Sequence, residues 1–243
     1  MERAIYDRMR DLQRDHWWFA ARREILASEI GRLPLPRPAR ILEVGCGPGG
    51  NLELLKQFGD VRAIEPDAES RAYAAEHAGV PVDGGLLPDG LPDLGEAFDM
   101  ICAFDVIEHV DDDKGSVAAL AARLKPGGFL VTTVPANGWM WSEHDARHHH
   151  KRRYALPNYR RLFEGLRIHR ATHFNSLLFP PIAAVRIAKS AAGMRGGDDE
   201  AMPSPSLNGV LRRVFAAEKR ILRATDLPFG VSILLIAERP AQL

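Results

Sequence analysis

The sequence predicts an α/β protein, a doubly wound, seven-stranded and mostly parallel sheet with an N-terminal helix and a helical insertion before its last strand. Three observations predict it. From residue 40 onward, short apolar runs alternate with helical stretches, the rhythm of successive βαβ units. A glycine-rich turn, GCGPGG at 45–50, falls between the first apolar run and the first helical one. The 243 residues, 46% of them hydrophobic, suffice for one large domain with a sizeable core.

Taken in order, residues 1–30 predict one helix, with an apolar stripe at Ile5, Met9, Leu12, Phe19, Leu26 and Ile30. Within it, HWWF (16–19) sets at least one indole off the stripe, because each residue advances about 100° around the axis. GRLPLPRPAR (31–40) is a proline-punctuated linker. ARILEVG (39–45) predicts a buried strand, and NLELLKQFG (51–59) a helix closed by its glycine. VRAIE (61–65) is the second strand, DAESRAYAAEHAG (67–79) a helix, and VPVDG (80–84) a short third strand. FDMICAF (98–104) is the fourth, SVAALAARLKPGG (116–128) the next helix, and FLVTTVP (129–135) the fifth strand.

The rhythm then breaks. NGWMWSEHDARHHHKRRYA (137–155) reads as a polar, aromatic and basic loop, ALPNYRRLFEGL (155–166) as a helix, and RIHRATHF (167–174) as a sixth strand. Residues 175–225 are helical but irregular, interrupted by GMRGGDDEAMPSPS (193–206), a flexible loop by composition. LPFGVSILLIAERP (227–240) supplies a turn and the final strand. The units expected are a helical cap and linker at 1–38, a ligand-binding core at 39–174, a helical insertion at 175–226, and the closing strand at 227–243.

Composition narrows the function classes. Lys and Arg total 32 and so do Asp and Glu, and this zero balance argues against a dedicated nucleic-acid binder. Two cysteines, Cys46 and Cys102, do not make a secretory disulfide framework. The segment MERAIYDRMRDLQRD is too charged for a signal peptide. SLLFPPIAAVRIA (176–188) is too short for a membrane span and carries two prolines and an arginine. A cytoplasmic protein without an integral membrane segment is expected.

The chemistry concentrates at the ends of the strands. Gly45, Gly47 and Gly49 follow a strand and precede a helix, where glycine lets the backbone turn tightly and approach a ligand. Glu43 just before them would repel a pyrophosphate and favour an ammonium or sulfonium. No lysine heads the next helix, as a phosphate loop requires. Glu65 lies about twenty residues on, where an acid accepts hydrogen bonds from a ribose diol. Asp83 follows the third strand, suited to an adenine amino group. Phe104, Asp105 and His109 bring the fourth strand's end to the same edge. Helix capping explains Asp67 well, and Glu43 and Glu65 poorly.

On LEVGCGPG, AIEPD, VDG, AFDVIEHV and LKPGG, the chain resembles the class I S-adenosylmethionine-dependent methyltransferases, which have a Rossmann-like fold. The small-molecule, ubiquinone-methyltransferase-like (type 11) members are the nearest in pattern. The resemblance covers roughly residues 38–136, and the last strand fits that family's reversed edge hairpin. It implies S-adenosyl-L-methionine as cofactor, with Glu43, Gly45, Cys46, Gly47 and Gly49 around its methionine part. Glu65 and Pro66 would then lie near the ribose, Asp83 and Gly84 on the adenine side, and Phe104, Asp105 and Val106 beside the transferred methyl. The (N/D)PP(Y/F) signature common among nucleic-acid enzymes of this family is absent.

Methyl transfer needs orientation and exclusion of water, and a general base only for a protonated acceptor. His109 is placed for that role, though a histidine there can equally pin the following helix. His144 is the second candidate, in a loop where Trp141, Arg153 and Tyr154 would also face the acceptor. His144 with His148, and Asp145 with His149, have the i, i+4 spacing a metal can use in a helix. A histidine run on a loop is more commonly solvated, and no metal site is assigned. Trp17 or Trp18, with Arg22 or Arg23 nearby to neutralise an acid, is expected to close the cleft, and packing on a neighbouring helix or in a homodimer is the competing role. The function expected is methyl transfer to a small organic acceptor. Non-methylating use of the same cofactor, such as cyclisation, and a non-catalytic binding module are the alternatives, with an NAD-linked oxidoreductase weaker because of Glu43.

Overall fold

The computed structural model describes residues 3–95, 97–191 and 201–241. One seven-stranded sheet in the order β3-β2-β1-β4-β5-β7-β6 forms its centre. The strands are β1 (Ala39–Val44), β2 (Gly59–Ile64), β3 (Val82–Asp83), β4 (Phe98–Phe104), β5 (Leu124–Pro135), β6 (Arg167–Phe174) and β7 (Ser232–Glu238). The first five are joined by parallel pairings, whereas β7 runs antiparallel between β5 and β6. The sheet is thus mixed, mostly parallel, with one antiparallel hairpin.

Nine helices are described: α1 (Arg3–Leu12), α2 (Trp17–Ile30), α3 (Leu52–Leu55), α4 (Ala68–Ala78), α5 (Asp113–Ala122), α6 (Glu143–Arg147), α7 (Leu156–Arg160), α8 (Phe179–Ala191) and α9 (Pro205–Leu222). Both sheet faces are covered, so strands such as ILEV and MICAF are apolar on nearly every residue. On one face Ile41, Met100, Val131 and Leu234 pack with Ile25 and Leu26 of α2 and Phe215 of α9. On the other, Leu42, Ile101, Leu130 and Leu235 pack with Val117 and Leu120 of α5 and Tyr159 of α7. None of the described helices is long and apolar enough to cross a membrane.

Local chemistry sets several ends. The Asp67 carboxylate accepts from Ser70 N at 2.8 Å and caps α4, and Gly79 closes that helix at φ 63°. Asp112 caps α5 the same way through Gly115 N.

Five expectations need correcting. The helix expected at 116–128 is α5, which ends at Ala122, and β5 already begins at Leu124. The single helix expected over 1–30 is, among the described residues, two helices, because His16 turns extended (ψ 134°) and its ring accepts from Trp18 N, starting α2 afresh. The Arg23 guanidinium then takes up Gln13 O and Arg14 O in the break. The helix expected at 51–59 is only α3, and Gly59 opens β2 instead of closing it. Asn51 leaves α3 uncapped because its amide donates to Glu43. The loop at 137–155 contains α6, started by a capping box between Ser142 and Asp145. The helix expected at 155–166 is α7 followed by a 3₁₀ turn at Arg161–Phe163. Much of the loop expected at 193–206 lies outside the described residues.

Candidate functional site

The parallel strands end at one edge of the sheet, and a cavity of about 870 Å³ opens there. Its floor is made by the chain just after β1, β2 and β4. Met9, Trp17, Ile182 and Leu211, from α1, α2, α8 and α9, complete its walls.

The glycine loop has a different reason for each glycine. At Gly45 (φ +72°) a Cβ would stand 2.6 Å from Val106 Cγ2, so the loop can pass the end of β4 only without a side chain. At Gly47 (φ +54°) nothing lies within 4 Å of a Cβ position, and its backbone lines the cavity. Gly49 packs on Leu52 and Ala74 and does not line the cavity. The N–H groups of Gly45 and Cys46 donate to Ile64 O at 2.8 and 3.2 Å, tying the loop to β2.

Two buried carboxylates flank this loop. Glu65 lines the cavity, with Oε2 accepting from Gly47 N at 2.8 Å and Oε1 from Asp67 N at 2.9 Å. Burial pushes its pKa up and the two amides oppose the shift. Glu43 lies behind the wall. Its Oε1 accepts from Asn51 Nδ2 at 2.9 Å, and its Oε2 has no partner among the described residues. Burial raises its pKa to about 7, against the Asn51 hydrogen bond. Asp83 and Gly84 do not line the cavity: the Asp83 carboxylate pairs with Arg62 at 2.9 Å and Gly84 sits against Arg71.

At the end of β4, Phe104, Asp105 and Val106 all line the cavity. Asp105 is held at φ 56°, a strained conformation for a non-glycine residue, with Thr133 Oγ1 donating to its Oδ1 at 3.0 Å and the buried Arg22 guanidinium paired to its Oδ2. Trp17 and Trp18 line the cavity and also pack on α9. Trp18 stacks on Phe215 at 5.1 Å and on Phe174 at 6.3 Å, and Trp17 meets Phe215 edge-on at 6.0 Å.

The histidine loop reaches the same cavity. His144, His148, His150 and Arg153 line it, whereas Trp141 and Tyr154 do not. Trp141 is 45% exposed, and the buried Tyr154 hydroxyl donates to Asp113 Oδ2 at 2.9 Å. Asp145 anchors the loop: its Oδ1 accepts from Arg153 Nε at 2.7 Å and pairs with His150 Nδ1 at 2.9 Å, and its Oδ2 accepts from Ser142 N at 2.8 Å. Burial alone would raise the Asp145 pKa, but these donors hold it well below the usual carboxylate range. Facing them, burial together with neighbouring His150 and His148 lowers His109 to about 3. Glu108 is fully buried and pushed well above the carboxylate range by that burial and by Asp105.

Sequence reasoning passed over Asn51, Glu108 and His150 as site residues. Glu108 carried a signal, an acid inside the apolar run FDVIEHV. His150 could not be told from its histidine neighbours without the α6 geometry.

A family model described as a methyltransferase domain matches residues 18–178. The ubiquinone biosynthesis O-methyltransferase of Methylobacterium nodulans is 39% identical over 111 residues, 42% of this chain and 44% of that protein. The trans-aconitate 2-methyltransferase of Variovorax paradoxus is 32% identical over 111 residues, 44% of this chain and 43% of that protein. The chain thus spans less than half the length of these curated relatives. The solved geranyl diphosphate C-methyltransferase of Streptomyces coelicolor, crystallised with S-adenosyl-L-homocysteine, superposes with a TM-score of 0.59 at 17% identity, covering 88% of this chain and 75% of that one.

Proposed function

Because the chain belongs to the methyltransferase domain family, we propose that it transfers a methyl group from S-adenosyl-L-methionine to a small organic acceptor. The observation carrying this reading is the open Gly47 backbone between two buried carboxylates, one of them with an unpaired oxygen. That arrangement fits this cofactor. An orphaned carboxylate oxygen behind the glycine loop suits an ammonium group, and glycines without side chains admit a nucleoside.

When bound, the cofactor supplies a sulfonium methyl for in-line displacement, and the reactivity is its own. The protein's task is to bind, orient and exclude water. Glu65 is already fixed by two backbone N–H groups, and its remaining lone pairs accept from the ribose hydroxyls. Glu43, ionised, favours the cationic end through Asn51 and the loop. With Asp83 tied to Arg62, the adenine side falls to Leu86 and Leu87, which line the cavity. Phe104, Asp105 and Val106 shape the methyl-transfer end, and Arg22 keeps the Asp105 charge balanced.

Trp17, Trp18, His144 and Arg153 make the acceptor end, and the apolar Ile182 and Val185 of α8 add to it. His109 faces the same space, but with a pKa of about 3 it is a weak proton acceptor at neutral pH. That leaves His144 as the general-base candidate for an acceptor that must lose a proton. Zero net charge supports a small acceptor over a nucleic acid, and two buried free cysteines suit a reducing cytoplasm. The two relatives act, by their names, on different acceptors, so acceptor identity rests on experiment.

The test is release of S-adenosylhomocysteine by the purified protein across a panel of phenols, carboxylates and amines. Turnover confined to one class is expected. Cofactor binding with no product on any acceptor would instead favour non-methylating chemistry.

A further inference from the structure

Beyond the residues assigned to the cofactor, the cavity wall carries a second group of chemically paired side chains. Glu108 is fully buried, lines the cavity, and has no hydrogen-bond partner on either carboxylate oxygen. Buried polar groups are almost always satisfied, so two orphaned oxygens on one side chain call for an occupant. His109 follows it in the same 3₁₀ turn, Ile107–His109, and His150 comes across from the loop after α6. One ligand atom from each of Glu108, His109 and His150 lies within 4.8 Å of the other two. The two rings meet edge to face, with centroids 4.7 Å apart at 85°.

We infer that Glu108, His109 and His150 form a binding site for a divalent transition-metal ion such as Zn²⁺ or Co²⁺. Two imidazoles and one carboxylate favour borderline ions of that kind, whereas Mg²⁺ and Ca²⁺ take all-oxygen sets. The next layer of contacts supports the same conclusion. Asp145 Oδ1 lies 2.9 Å from His150 Nδ1, which turns Nε2 into the coordinating nitrogen, the carboxylate–histidine–metal arrangement. Asp145 is itself fixed by Arg153 and Ser142, so the ring is oriented before any ion arrives. Ligands on one tetrahedral ion at about 2.0–2.2 Å stand roughly 3.4 Å apart.

With three protein ligands, the ion keeps a position open toward the cavity. On the methyltransferase reading, that position takes an acceptor hydroxyl and lowers its pKa, the released proton passing to His144 before the oxygen attacks the methyl carbon. This assignment departs from the expectation of no metal and from the i, i+4 spacing of His144 and His148. Those two rings meet at 4.2 Å, tilted by 32°, and neither belongs to the cluster.

The test uses untagged full-length protein stripped with chelator, titrated with Zn²⁺ by calorimetry and with Co²⁺ by visible absorption. One equivalent should bind, with the intense cobalt spectrum of a four- or five-coordinate nitrogen–oxygen site. Asp145→Asn should weaken affinity roughly 10–100-fold, Glu108→Gln and His150→Gln at least as much, and His77→Ala on α4 not at all. No binding by folded wild-type protein would overturn the inference, as would undiminished binding in Glu108→Gln and His150→Gln, which would assign the ion to surface histidines. If those variants do not fold, the wild-type cobalt spectrum decides: an octahedral, weakly absorbing ion contradicts the site. S-adenosylhomocysteine binding by the stripped protein, measured in parallel, separates failure of this site from failure of the methyltransferase reading.

Discussion

Glu43 sits at the balance point between burial, which favours its protonated form, and the cofactor-side role proposed for it, which needs its charge. Its pKa of about 7 lies above the ordinary carboxylate value, so the folded protein binds the extra proton. Stability contributed by this group is therefore present at low pH and is lost as pH rises from about 4.5 toward 7. Glu43→Gln should remove that slope, read as denaturant midpoints at pH 5 and pH 8. Cofactor affinity should run the other way, rising through pH 7 as the carboxyl ionises, with a proton released on binding below it. Glu43→Gln should weaken S-adenosylmethionine binding roughly tenfold at pH 8, the scale of one charge acting at a distance through Asn51 and the loop. Calorimetry in buffers of different ionisation enthalpy checks both effects. The placement of Glu43 and Glu65 on either side of the glycine loop was legible in the sequence because it is set by their own strands and the glycines beside them. Asp83 was not, since its partner Arg62 comes from the neighbouring strand, and pairing across strands leaves no local mark.

Among the elements, α2 and α9 stand or fall together. Trp18 is stacked on Phe215 of α9 and Phe174 of β6, so Trp18→Ala should cost about 3 kcal/mol and lower the melting temperature by roughly 6–12 °C. Because the same indole lines the cavity, cofactor-induced quenching of tryptophan fluorescence should shrink in that variant. The loop carrying α6 depends on Asp145 in the same way. Its pKa is depressed, so its stabilising contribution is present above the unfolded value near 3.8 and fades below it. Asp145→Asn should lower the melting temperature at pH 7, and the gap to wild type should narrow at pH 3. The stripe of α1 and α2 read as one helix because a break at Gln13–His16 leaves the apolar spacing almost undisturbed. What breaks it is the His16 ring reaching Trp18 N and Arg23 filling the carbonyls, contacts that periodicity does not encode.

For the whole molecule, the alternation from residue 40 to 135 was enough to give a parallel sheet, because each strand and helix announces itself by its period. The exchange of order at the far edge, β5-β7-β6, followed from resemblance and not from spacing, since an antiparallel strand inserted from the chain's end has the same apolar signature as a parallel one. The site is assembled only at this scale, with α1, α2, α8 and α9 meeting over the strand ends. A ligand filling that cavity should therefore stabilise the fold as a unit. S-adenosylhomocysteine at a hundred times its Kd should add about 2.7 kcal/mol and raise the melting temperature by roughly 5–11 °C. The central claim is that the glycine loop and its two buried acids hold this cofactor, and calorimetric titration of S-adenosylhomocysteine into wild type and Glu65→Ala tests it most directly. One molecule per chain should bind wild type, at least tenfold more weakly after the substitution. No heat from folded wild type, or an unchanged affinity in Glu65→Ala, would contradict it.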